Sequence, residues 1–152
     1  MKIFSKNIFF ITLALVLLFS ACKEDEYADW KIINEAWLEK HKNDAGFIQT
    51  ESGLSYKIIN TGIIRHPNSS SYIRATYTGK LIDGSVFDSG EYAASLANAI
   101  LGWQEGVTKI RTNGRIVLYV PSSMGYGKTG SGSRIPPHST LIFEIELHES
   151  IN

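Results

Sequence analysis

Near the C-terminus, Thr140–His148 alternates without a break. Leu141, Phe143, Ile145 and Leu147 fall on one side, and Ile142, Glu144, Glu146 and His148 on the other. Successive side chains of a strand point to opposite faces, so a period of two describes a strand with one dry and one wetter face. Tyr72–Leu81 alternates in the same way through Tyr72, Arg74, Thr76 and Thr78, and Arg115–Val120 reads as a further strand. Ser52–Gly62 is a strand running into a glycine turn, and Asp83-Gly84 is a turn between strands. Strands wetted on one face belong to an antiparallel sheet.

Such a sheet needs a cover for its apolar face. The only helical candidate in this part of the chain is Gly102–Lys109, in which Trp103, Val107 and Ile110 recur at spacings of four and three. A second helix is predicted ahead of the strands, over Tyr27–Lys42, with Trp30, Ile33, Trp37 and Leu38 as its apolar face. Two uses of it stay open: packing on the domain, or pairing with a second copy in a homodimer. The class is α+β. No repeats appear, and the glycine-rich run Gly125–Ser133 lacks the lysine–hydroxyl ending and following helix of a phosphate loop.

Lys2 and Lys6 precede an apolar run, Ile8–Phe19, that is short for a membrane span but suits a secretory signal. The run ends in Ser20-Ala21-Cys22, which resembles a bacterial lipoprotein cleavage site, with Phe19 in place of the usual leucine. The resemblance implies removal of residues 1–21 and attachment of lipid, palmitate included, at Cys22, the only cysteine. The acidic KEDE that follows resembles the surface-export signal of Bacteroidetes lipoproteins; a plain soluble tether is the other reading. The protein is thus expected to be anchored by lipid in a bacterial envelope, at the outer membrane, facing either the periplasm or the exterior. Residues 22–50 would be tether and helix, and 51–152 the domain. Lys+Arg and Asp+Glu both total 15, which argues against a nucleic-acid partner, since that needs a concentrated basic surface. The four histidines are scattered at no metal-ligand spacing.

Three segments, YTGKLIDGSVFDSG (77–90), ILGWQEGV (100–107) and YVPSSMGYGKTGSGSRIPPHSTLIFEIEL (119–147), together resemble the FKBP-type peptidyl-prolyl cis-trans isomerases. The resemblance implies a strongly curved antiparallel sheet wrapped around one short helix, the N-terminal helix being an addition. It also implies an isomerase of Xaa-Pro bonds in exported or envelope proteins, working in a dry aromatic pocket with no covalent intermediate, cofactor or metal. Trp103 would be the pocket floor, with Tyr77, Phe87 and Phe143 as walls. Ala99 and Ile100 would lie beside Trp103, Ile100 offering its N–H, and Ile135 would close the edge. Tyr126 would donate to a substrate carbonyl, and Asp88 would orient the site and supply a local field.

The chain departs from the family between Ser89 and Gly102, where GEYAASLANAIL is short. Gly90–Leu96 reads as a trimmed loop, with Tyr92 as a substitute aromatic. Ala99 stands where valine is common, and Arg134 and Ser131 alter the long loop. These changes leave a second reading: a catalytically weak lipoprotein that binds proline peptides or acts as a chaperone in an envelope assembly, such as a gliding-motility complex.

Overall fold

A computed structural model describes residues 26–151. The signal segment and Cys22 lie outside these residues. In chain order the elements are α1 (Ala28–His41), β1 (Ile48–Gln49), β2 (Ser55–Asn60), β3 (Tyr72–Lys80), β4 (Val86–Ser95), α2 (Leu101–Gly106), β5 (Arg115–Val120) and β6 (Leu141–Ile151). The described strands form one antiparallel sheet of six, in the order β1-β2-β5-β6-β3-β4.

The alternation read from the sequence sets the core. Leu141, Phe143, Ile145 and Leu147 of β6 are buried together with Ile116, Leu118 and Val120 of β5 and Ile73 and Ala75 of β3. The opposite face carries Arg74, Lys80, Arg115, Glu144 and Glu146, in surface ion pairs such as Lys80 Nζ to Glu144 Oε1 at 2.7 Å. Exposed pairs of this kind contribute at most about 1 kcal/mol each; the apolar face holds the sheet.

The α+β arrangement of antiparallel sheet, short helix and N-terminal helix is present, but the strong curvature is not. The sheet is open, neither strongly curved nor closed, and β1 and β4 are its two unpaired edges. Period-two alternation says which face is dry; curvature depends on bulges and twist, which the pattern does not encode. Register shifts occur at single places, between Ile58 and Asn60, Gly79 and Lys80, and Arg74 and Ala75. The short helix therefore lies on one face instead of being enclosed.

Helix α2 seats closely on β5 because two of its six residues are glycine. A Cβ at Gly102 would come within 2.5 Å of a Val120 methyl, and one at Gly106 within 2.4 Å of a Leu118 methyl. Trp103, Val107 and Ile110 are buried against the sheet as their spacing implied.

Two local expectations change. Gly90–Leu96 is not a trimmed loop: β4 runs unbroken to Ser95 and pairs along β3, with Gly90 opposite Tyr77 and Tyr92 opposite Ala75. In α1, Ile33 is 53% exposed and the buried residue is Asn34. The helix docks on the domain, with Trp37 5.8 Å from the ring of Tyr119. Tyr119 leaves β5 on the face opposite Leu118 and Val120, and Phe47 covers it too, at 4.2 Å.

Candidate functional site

Between β3, β4 and α2 lies a cleft of ≈ 260 Å³ lined by Tyr77, Phe87, Asp88, Tyr92, Asn98, Ala99, Ile100, Trp103, Tyr126 and Phe143. Trp103 and Phe143, each 4% exposed, and Phe87, 5% exposed, form its base. Their rings meet edge to face: Trp103 on Phe143 at 5.4 Å and 89°, Phe87 on Phe143 at 5.5 Å and 88°, and Tyr77 on Trp103 at 5.2 Å and 86°. Each such pair adds about 0.5–1.5 kcal/mol beyond area burial, so the base is rigid.

Each element supplies its residues for a local reason. Gly79 pairs with Phe143 on one side and Asp88 on the other. A Cβ there would fall 2.5 Å from Phe87 and 3.0 Å from Phe143, so a side chain at 79 would exclude the two rings. Gln104 Nε2 donates to the carbonyls of Ala97 (3.2 Å) and Ala99 (2.8 Å), fixing the segment that brings Asn98, Ala99 and Ile100 to the cleft. The Ile100 carbonyl accepts from the N–H groups of Trp103 and Gln104 at the start of α2.

The polar groups of the cleft come from Tyr77, Asp88, Tyr92, Asn98 and Tyr126. The Tyr77 hydroxyl donates to Asp88 Oδ2 at 2.6 Å, and the Ser89 N–H donates to Asp88 Oδ1 at 3.0 Å. Burial, then the hydrogen bond to Asp88 and its negative charge, push the Tyr77 phenol up to about 12, with Arg134 acting the other way. Each oxygen of the Asp88 carboxyl thus accepts one hydrogen bond, which fixes its orientation at the cleft. Tyr126 is 38% exposed, and its hydroxyl has no hydrogen-bond partner among the described residues. Tyr92 is held by donation to the Ser95 carbonyl at 2.8 Å and lies 5.3 Å from Trp103; burial raises its phenol pKa.

Eight of the nine pocket residues singled out from the sequence thus meet in one cleft. Ile135 is not among those lining it. Its side chain is 6% exposed in the core, and its backbone bridges to Ser131 within the long loop. An apolar residue beside Pro136-Pro137 has more to gain from the core than from an open edge. Sequence reasoning missed Asn98, Gly79 and Gln104. Gly79 alone had a signal, a glycine inside an otherwise regular strand, which marks a close approach. A second hollow of ≈ 390 Å³ opens on the wetter face of the sheet, among Thr76, Thr78, Arg115, Val117, Glu144 and Glu146. It holds no aromatic base apart from the Tyr77 position shared with the cleft.

The sequence profile of the FKBP-type peptidyl-prolyl cis-trans isomerases matches residues 64–148, more than half the chain, and spans every cleft residue. The chain belongs to this family. Its relatives include the FKBP-type 22 kDa peptidyl-prolyl cis-trans isomerase of Escherichia coli strain K12. That protein is 42% identical over 118 residues, which is 74% of this chain and 57% of the relative. The outer membrane protein MIP of Legionella longbeachae is 37% identical over 122 residues, 77% of this chain and 52% of that protein. The crystal structure of FkpA from Escherichia coli superposes with a TM-score of 0.78 at 30% identity, covering 98% of this chain and 74% of the other. The chain spans about half the length of the curated relatives it matches.

Proposed function

We propose that this chain is a peptidyl-prolyl cis-trans isomerase of the bacterial envelope, acting on Xaa-Pro bonds of exported polypeptides. One observation carries the reading: an aromatic base shares its cleft with a carboxylate locked by a tyrosine hydroxyl and with a second tyrosine hydroxyl that has no hydrogen-bond partner among the described residues. Rotation about the prolyl bond must overcome a barrier of about 18–20 kcal/mol, while the two end states differ by only about 0.5–1 kcal/mol. No bond is made or broken, so binding the twisted amide more tightly than either planar form is the whole task, about 1.4 kcal/mol for each tenfold gain.

The residues divide that task. Trp103, Phe87, Phe143 and Tyr77 receive the pyrrolidine ring and exclude water, with Ala99 and Ile100 beside them. Tyr92 supplies the flank that the short 89–102 segment would otherwise lack. Tyr126 donates its free hydroxyl to a carbonyl next to the turning bond, and the Ile100 N–H holds the peptide. Asp88, held by Tyr77 and Ser89, gives a field that favours the amide nitrogen as it loses conjugation and becomes pyramidal. Ile135 acts from the core, shaping the loop behind Tyr126.

The envelope assignment draws on the signal-like residues 1–21, the lipid-accepting position Cys22, and a relative named as an outer membrane protein. Residues 22–50 then serve as tether and docked helix, and 51–152 as the isomerase domain. Among the described residues no helix is long and apolar enough to cross a membrane.

The test is exchange spectroscopy on short peptides with an apolar residue before proline. Faster cis-trans exchange with the chain present, together with peptide-induced shifts at Trp103, is the expected result. Shifts at Trp103 without faster exchange would reduce the protein to a proline-binding module, and neither effect would end the reading. Loss of radiolabelled palmitate on changing Cys22→Ala tests the anchor separately.

A further inference from the structure

The loop from Pro121 to Thr140 carries Tyr126; β5 and β6 pair at its base, Val120 with Leu141, and its last residues, Ser139 and Thr140, are bonded to the N-terminal helix as well. We propose that α1 is a latch on this loop, with Trp30 and Asn34 as positioning residues that hold Tyr126 at the cleft; this rests on the isomerase reading above.

The fastening is polar and buried. Asn34 is 1% exposed on a helix whose Ile32 and Ile33 are 63% and 53% exposed. Its Oδ1 accepts from the N–H of Thr140 at 2.7 Å, the residue just before β6, while its Nδ2 donates to the Trp30 carbonyl at 2.8 Å. Trp30 Nε1 donates to Ser139 Oγ at 2.9 Å, and that hydroxyl donates onward to the Pro136 carbonyl at 2.7 Å. A helix serving only as a cover would bury isoleucine and expose asparagine. Burying the amide instead makes sense where a backbone N–H at the loop end has no ladder partner and would otherwise be left unsatisfied.

From that end the bonds lead back to Tyr126. The His138 N–H donates to the Gly127 carbonyl at 2.8 Å, and the Gly127 N–H donates to the Ser122 carbonyl at 2.8 Å. The Tyr126 carbonyl accepts from the Gly130 N–H and from Thr129 Oγ1, both at 3.2 Å. Tyr126 is thus carried on a loop closed by its own backbone, and α1 fixes where the closed loop joins the sheet. Trp37 on Tyr119 keeps the helix on the domain when one polar link is cut, so the links can be tested singly.

The experiment compares the full chain with its Trp30→Phe, Ser139→Ala and Asn34→Leu variants by amide hydrogen exchange and by prolyl exchange. In the variants the amides of Gly127, Gly130 and His138 should exchange about tenfold faster or more, the scale of losing one buried hydrogen bond in a local opening. Those of Ile73, Leu118 and Ile145 should keep parent rates. The isomerase kcat/KM should fall in step with the loop rates, and Trp30→Phe combined with Ser139→Ala should be no worse than the worse single change. Unchanged loop rates, equal quickening of loop and sheet, or a loosened loop with undiminished catalysis would each overturn the latch. If the parent itself lacks isomerase activity, the functional reading fails, and the amide rates alone decide whether α1 holds the loop.

Discussion

Replacing Gly102 with alanine sets a local gain against a packing loss at the element that carries Trp103. Alanine improves helix propensity by at most about 1 kcal/mol, and less this near a helix start. Against that, the new methyl would stand 2.5 and 2.7 Å from the two methyls of Val120 and 3.2 Å from its Cβ. Rotating valine exchanges one blocked methyl for another, so relief requires α2 to move away from β5. Overpacking of this kind costs about 1–3 kcal/mol, and Val120 is fully buried with no slack toward solvent. The expected net effect is a destabilisation of about 1–2 kcal/mol, with a fall in melting temperature of roughly 4 °C per kcal/mol for a domain of this size. Because Trp103 is the next residue, displacement of α2 should also weaken peptide binding. Urea unfolding and peptide titration measure the two effects on one sample. A variant as stable as the parent, with undiminished binding, would refute the close seating of α2 on β5.

Three further outcomes are expected. Trp103→Leu removes one ring from three aromatic contacts, with Tyr77, Tyr92 and Phe143; it should abolish measurable peptide binding and cost about 2–4 kcal/mol of stability, both read by titration and urea unfolding. Ultraviolet titration of tyrosinate should show a phenol ionising near 12 that is missing in Tyr77→Phe. An unfolded phenol ionises near 10, so the folded state retains this proton longer; Tyr77's contribution is complete below about pH 10 and declines as pH rises toward 12, and alkaline unfolding should therefore lose part of its pH dependence in Tyr77→Phe. Gly79→Ala should cost about 1–3 kcal/mol in urea unfolding, because the added methyl meets the Phe87 and Phe143 rings in a packed base.

What could be read from the sequence was whatever a short-range pattern encodes. The alternation of β6 gave the core face correctly because burial on one side leaves a period of two. Tyr77, Phe87, Asp88, Trp103, Tyr126 and Phe143 were found because their residue types and order are distinctive, and the fold brings them to one cleft. Long-range pairing was not legible. GEYAAS has weak strand propensity, yet it continues β4 because β3 supplies a partner at every position from Tyr77 to Tyr72. Asn34 was not singled out in α1; its partner, Thr140, lies 106 positions away, and nothing nearby marks it. Ile135 was placed at the rim by resemblance, and the core took it. Sheet curvature, a property of the whole ladder, had no residue to announce it.

The central claim is that a free hydroxyl at the cleft helps turn the amide, and Tyr126→Phe tests it most directly. The hydroxyl has no hydrogen-bond partner among the described residues and Tyr126 is 38% exposed, so its removal should leave urea unfolding unchanged within about 0.5 kcal/mol. Losing one hydrogen bond of about 1 kcal/mol that is strongest in the twisted state should slow catalysed prolyl exchange roughly fivefold. A stable variant with slowed exchange and intact peptide binding is the expected result. A stable variant that turns prolyl bonds as fast as the parent would contradict the account.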